Sequence, residues 1–456
     1  MADFDLIIRG GQTILPGEEG GISKSDIGIT DGKIAAVEKS LKGQTGETEI
    51  KATKFTVAPA FLDAHVHFNE PGRDDWEGIQ TGSRALALGG GSWYADMPLN
   101  SEPPCLTAAE LEKKRDLALQ KSSTDFSLWG GLTPDNLDEI DGLADAGCIG
   151  LKAFMCDSGI DSFPTITEDA LKKGMEKAAE RGLVVAVHAE LQDALDRHAE
   201  EFPPVDRSAR SFLDSRPTDP EVRAALLATG LAEETGAKLH IVHASCPEVL
   251  AIVDLAKDDG ADVTVETCPH YLLFHEAHVL GETGAAFKCC PPLRREWTRD
   301  TMWSAIGDGE IDTVGSDHSP APPSMKESAN DDFFEIWGGI AGCQHGFPAL
   351  LGEANMRAFG MQKISDLASS NVANRFGIAS RKGTIEVGKD ADLVLLSFLE
   401  KGDPITADDL VYQHPYSAYI GHASPCTVHA TYCRGHELTG KKGLPEGFQP
   451  QFVRPE

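Results

Sequence analysis

Thr56-Val57-Ala58-Pro59-Ala60-Phe61-Leu62-Asp63-Ala64-His65-Val66-His67 is the stretch on which the fold turns. An apolar run of strand length, Thr56–Leu62, leads directly into a polar tip carrying two imidazoles. Residues two apart on an extended chain point the same way, so His65 and His67 converge while Val66 faces away. The arrangement recurs downstream. Apolar runs at Ser92–Asp96, Phe126–Gly130, Ile149–Ala153, Leu183–His188, Leu239–His243, Val263–Thr267 and Asp312–Ser316 alternate with helical stretches such as Glu168–Gly182 and Glu221–Gly236. Short strands alternating with helices give βα units and a parallel sheet. Eight such units predict an α/β fold, a closed (β/α)8 TIM-like barrel. An open doubly wound sheet is the alternative, but no G-x-G-x-x-G opens the first βα turn, and Gly89-Gly90-Gly91 lacks the Lys-Ser/Thr of a P-loop.

Outward from the barrel the pattern changes. Phe4–Arg9, Asp26–Ile29 and Lys33–Val37 read as strands, the last two flanking the turn signal Asp31-Gly32. Strand character returns after about residue 380, in Gly383–Gly388 leading to Asp390–Leu396, and in Val428–Cys433. Residues 1–55 and 381–456 are therefore expected to form one small β-sandwich domain beside a barrel of residues 56–380, with Lys441–Glu456 as a surface extension.

Composition narrows the function. The 456 residues carry 41 basic and 72 acidic side chains, a formal net charge of −31. No Lys/Arg cluster is available to track phosphates, which argues against nucleic acid. No apolar run approaches the ~18 residues a membrane helix needs. The opening Met1-Ala2-Asp3-Phe4-Asp5 is acidic, so no secretory signal is expected. The ten cysteines form no CxxC pair, which predicts neither a zinc ribbon nor a disulfide framework. A reducing cytoplasm fits these observations.

Barrel enzymes place their chemistry at the C-terminal ends of the strands. Besides His65 and His67 at the first, Lys152 lies at the fourth, His188 at the fifth, His243 at the sixth and Asp317 at the eighth. A lone His-x-His is a weak signal and a lone Lys could snorkel to water. Imidazoles, a carboxylate and a lysine facing one mouth are harder to explain as packing, because buried polar groups need partners. A bound metal pair would supply those partners. His240, three residues before His243, is expected to face the helices as a hydrogen-bonded core residue. His270, after the seventh strand, could support the site from behind.

This order of ligands resembles the binuclear cyclic amidohydrolases: dihydroorotases, hydantoinases, dihydropyrimidinases and allantoinases. The resemblance covers nearly the whole chain and includes Lys382-Gly383-Thr384-Ile385 and Asp390-Ala391-Asp392-Leu393. It implies two divalent metal ions, with zinc the default, and an N6-carboxylysine at Lys152 bridging them. His65, His67 and Asp317 would hold one ion, His188 and His243 the other, and Asp317 would move the proton. It also implies a homotetramer. Dihydroorotases usually have Arg two residues after the second histidine; here that position is Asn69, whose amide could hydrogen-bond a ureido group. Phe68–Gly78, Asp96–Ser101 and Lys152–Cys156 resemble the allantoinase branch, which implies allantoin as substrate. From the hydantoinase branch carry over main-chain substrate contacts at Cys290 and Trp337. That branch's substrate-binding Tyr is absent between Lys152 and Pro164, with Ser158 the candidate to replace it. The alternatives are a hydantoinase- or dihydropyrimidinase-like enzyme, a dihydroorotase, and a non-enzymatic assembly protein of the same fold.

Overall fold

The computed structural model describes residues 2–17, 21–327, 332–440 and 444–456. The chain opens with strands β1 (Phe4–Ile14), β2 (Ile22–Thr30), β3 (Lys33–Glu38), β4 (Gly46–Lys51) and β5 (Thr56–Pro59). The barrel strands follow: β6 (Phe61–Val66), β7 (Gly91–Asp96), β8 (Asp125–Leu128), β9 (Gly130–Gly131), β10 (Gly150–Phe154), β11 (Val184–His188), β12 (Lys238–Ile241), β13 (Val263–Thr267) and β14 (Thr313–Val314). Strands β15 (Leu393–Phe398), β16 (Cys426–Cys433) and β17 (His436–Glu437) complete the chain.

The barrel strands pair in parallel, in the sheet orders β6-β7-β8 and β9-β10-β11-β12-β13-β14. β8 and β9 are one strand interrupted at Trp129, whose N–H still bonds the Asp96 carbonyl at 3.0 Å. The ring closes where Val66 bridges His318 and the His67 N–H meets the His318 carbonyl at 2.7 Å. Strands covered on both faces should read as continuous apolar runs rather than alternating ones. β6, β7, β8 and β11 are buried at every position. Helices pack outside this wall. Glu168–Glu180 is typical: it turns Leu171, Met175 and Ala178 inward, and the Thr167 hydroxyl accepts from the Ala170 N–H at 3.2 Å as its cap, worth about 1 kcal/mol.

The small domain is an eight-stranded sheet ordered β17-β16-β15-β5-β1-β2-β3, with β4 on β1. Leu6, Ile8, Ile27, Ile29, Leu393 and Tyr432 form its core. Two expectations need correction here. The run Thr56–Leu62 is not one barrel strand. Its first half is β5, paired with β1 and β15 in the small sheet, and β6 begins only after Ala60. The C-terminal segment is not a surface extension. The Phe126 N–H bonds the Gln451 carbonyl at 3.0 Å and the Val453 N–H returns to Phe126 at 2.8 Å. Phe448 and Val453 are buried. Lys441, Lys442 and Gly443 lie outside the described residues. Among the described residues no helix is long and apolar enough to cross a membrane.

Candidate metal centre and its cavity

The strand ends bring the six predicted ligands to one mouth. His65 is the next-to-last residue of β6 and His67 follows it, Lys152 lies within β10 and His188 ends β11. His243 and Asp317 follow β12 and β14 with φ of 43° and 45°. Non-glycine residues rarely adopt such angles, and each costs about 1–3 kcal/mol. Both side chains line the cavity at the mouth, so the strain falls where it aims a functional group. His65 Nε2 lies 3.2 Å and His67 Nε2 3.5 Å from Asp317 Oδ1. The rings of His65 and His243 are 5.5 Å apart, and those of His188 and His243 4.5 Å.

The electrostatics favour metal ligation. Burial pushes the imidazoles of His67, His188 and His243 below the usual range, keeping them neutral, the form that binds a cation. Burial alone would raise the Asp317 carboxyl. The neighbouring His65, His67 and His243 outweigh it and hold the group well below the usual carboxylate range. Lys152 is fully buried, its Nζ has no hydrogen-bond partner among the described residues, and desolvation brings it down to about 8. His67 Nδ1 and His243 Nδ1 are likewise unpartnered. The ligand atoms of His65, His67 and Asp317 all lie within 4.8 Å of one another. Neutral imidazoles, an ionised carboxylate and an unpaired buried amine in one shell fit a cationic metal centre, which would satisfy them together.

Two carboxylates behind this shell escaped the sequence reading. Glu266 Oε1 meets His65 Nδ1 at 2.7 Å, and Glu190 Oε2 meets His188 Nε2 at 2.9 Å. Both are held at about 2: burial opposes ionisation, but His65 and His240 outweigh it at Glu266, and Arg216 and His188 at Glu190. A carboxylate on the far nitrogen of a ligating histidine fixes its tautomer and raises its basicity. Gly315 makes room for this, since a Cβ there would stand 2.4 Å from Glu266 Oε2. The signal was present in both cases: a charge inside the apolar run Val263–Thr267, and a second acid two residues after His188. His240 is the buried, hydrogen-bonded residue expected, with Nδ1 on Thr264 Oγ1 at 2.7 Å and its ring against Phe376. His270 touches Tyr271, and neither of its ring nitrogens has a partner among the described residues.

The cavity over the centre has a volume of about 530 Å³, ample for a small ring compound. Its wall comes from Cys156–Gly159, from Arg216 and from Phe334–Gly339. The Amidohydrolase family profile matches residues 56–438. The chain belongs to the amidohydrolase family. It is 44% identical to the allantoinase of Deinococcus radiodurans over 95% of both chains. It is 42% identical to that of Solibacter usitatus, over 99% of this chain and 97% of the other. Among solved structures, the L-hydantoinase of Arthrobacter aurescens superposes with a TM-score of 0.94 at 28% identity, covering 99% of this chain and all of that one.

In this amidohydrolase the predicted substrate contacts fare unequally. Cys290 lines the cavity, and its main chain makes no hydrogen bond among the described residues, so it is free for a ligand. Trp337 lines the cavity, but its carbonyl already accepts from Lys326 Nζ at 2.9 Å, leaving one lone pair. The Ser158 hydroxyl is spent within its own turn, donating to the Phe163 carbonyl at 2.7 Å and accepting from the Ile160 N–H. Asn69 is placed differently from the other three. It is completely buried, donates to the Pro320 carbonyl at 3.2 Å and is absent from the cavity wall, which Asn100 joins instead.

Proposed function

We propose that this amidohydrolase opens allantoin to allantoate at a binuclear centre held by His65, His67, His188, His243, Asp317 and a carboxylated Lys152. The observation that carries the reading is the buried, unpartnered Lys152 amine set among neutral imidazoles at the mouth of the barrel. A neutral amine there adds to CO2 and loses a proton. The N6-carboxylysine so formed places anionic oxygens where an ammonium is penalised. Relatives named allantoinase across nearly the full chain support the substrate. Imidazole and carboxylate donors suit zinc. When bound, the ions supply Lewis acidity, polarising the amide carbonyl and acidifying the attacking water.

The chain's own groups do the rest. Asp317, ionised and on the cavity wall, takes the proton of the attacking water and delivers it to the leaving ring nitrogen as the C–N bond breaks. The Cys290 main chain binds the ring imide. Glu266 and Glu190 keep His65 and His188 oriented. The ten unpaired cysteines support a reducing cytoplasm. The homotetramer that the family resemblance implies would offer subunit contacts to exposed side chains such as Leu226, Leu255, Trp297 and Met356. The test is kcat/KM on allantoin, hydantoin, dihydrouracil and dihydroorotate after metal and bicarbonate supplementation. Allantoin is expected to lead. A preference for dihydroorotate contradicts the reading, and a lead for hydantoin would favour a hydantoinase.

A further inference from the structure

Arg216 sits in the loop between the helices Ala209–Asp214 and Asp219–Thr235 and lines the cavity. Its main chain is locked, since its carbonyl accepts from Arg294, which also donates to Ser245 Oγ at 2.9 Å and pairs with Glu221. Its side chain keeps 22% of its surface exposed. Nη1 donates to Glu190 Oε2 at 2.7 Å. The parallel N–H bonds of Nε and Nη2 donate to no oxygen among the described residues; the guanidinium does hydrogen-bond the Cys156 thiol, and the Cys290 thiol lies near it. The guanidinium is close enough to Cys290 to pull against the burial that pushes that thiol up. The other cation on the wall, Lys288, is already spent on the carbonyls of Phe333, Phe334 and Ile336. The guanidinium fork thus has no oxygen acceptor among the described residues and stands beside the main chain assigned to the substrate ring.

We propose that Arg216 is a specificity-determining residue, whose Nε and Nη2 donate to the carbonyl of the ureido arm that distinguishes allantoin from hydantoin. The assignment rests on the allantoinase reading above. A guanidinium offers parallel donors at fixed spacing, and a ureido carbonyl has two lone pairs to receive them. The fork stays in place because Glu190 anchors Nη1 from behind. The same role cannot fall to Asn69, which lies off the wall. An arm reader also discriminates against substrates without the arm, because its donors are then left unpaired.

The test is kcat and KM for allantoin and hydantoin in wild type, Arg216→Lys and Arg216→Gln, with metal content measured on each protein. Arg216→Lys keeps a cation for Glu190 but removes the fork. It should retain its metal and lose about 10- to 100-fold in kcat/KM on allantoin, the scale of a charged hydrogen bond. The loss on hydantoin should be at least several-fold smaller. Equal losses on both substrates, or metal lost in step with activity, would mean that Arg216 acts only through Glu190 and His188, and would overturn the assignment. Unchanged kinetics on both would overturn it too. A wild type that opens hydantoin but not allantoin would sink the substrate reading itself, and the assignment with it. A wild type that prefers allantoin while Arg216→Lys keeps that preference would sink the assignment alone.

Discussion

Lys152 is fully buried among imidazoles, and its Nζ has no hydrogen-bond partner among the described residues. Its amine comes down to about 8 through desolvation, so an appreciable neutral fraction exists near neutral pH to take up CO2. Lys152→Ala removes the anionic oxygens of the carbamate while leaving the histidines in place. The variant should lose metal and lose turnover by ~10²-fold or more, the scale on which metal sites respond to a lost supporting group. A short carboxylic acid added to the solution should restore part of both. Elemental analysis alongside the rate assay decides the matter: a variant with a full metal complement and an undiminished rate removes Lys152 from the centre. The glutamates behind the ligands show what one residue can hide. Glu266 reads in the sequence as a lone charge in a strand, and only the fold sets it 2.7 Å from His65, 201 positions away.

The strands were legible because a barrel strand is covered on both faces, so its residues form an unbroken apolar run that ends where the polar mouth begins. Val263–Thr267 is strand β13 at the same bounds, and His188 ends β11 as expected. The errors arose where local pattern does not identify the neighbour. Thr56–Pro59 is as apolar as Phe61–Val66, yet it pairs with β1 and β15. Gln451 and Val453 look like tail residues until Phe126 pairs with them. The loop Phe333–Gly339 was legible only at Trp337, because two lysines outside it hold its shape. Lys288 donates to Phe333 at 2.8 Å, Phe334 at 3.0 Å and Ile336. Lys326 donates to Trp337 at 2.9 Å and to Gly339. Lys326→Met would leave the buried Gly339 carbonyl and the half-buried Trp337 carbonyl without this donor, at about 1–3 kcal/mol for the buried one. The thermal midpoint should fall, and KM should rise several-fold while kcat changes less, because the loop forms the cavity wall. A variant with wild-type midpoint and KM would show that Lys326 does not hold the loop.

Across the whole molecule, the barrel and the small sheet meet at a buried ionic cluster. Lys382 reaches Asp125 of β8 at 3.0 Å and Asp392 at 2.7 Å, and Arg434 reaches Asp125 at 3.1 Å. Burial would raise the Asp125 carboxyl, but Lys382 and Arg434 outweigh it and the group ends below its usual value. Lys382 ends well above its own, burial being outweighed by Asp125 and Asp392. A depressed carboxyl stabilises fully above its unfolded value, about 3.9, and loses that contribution as pH falls through the folded value. A raised lysine stabilises fully below about 10.4 and loses its contribution as pH rises through the folded value. The cluster therefore contributes fully across neutral pH. Asp125→Asn should cost about 3–5 kcal/mol there, and its thermal midpoint should fall less steeply than wild type below pH ~4. Midpoints that follow wild type at every pH would remove Asp125 from the joint between the two parts. The molecule as a whole is built around the centre at the barrel mouth. Its most direct test is the rate of allantoate formation by chelator-stripped protein as a divalent ion is returned in bicarbonate. The rate should rise from near zero and level off at two ions per chain; full activity without any ion, or no allantoate at any ion ratio, would contradict it.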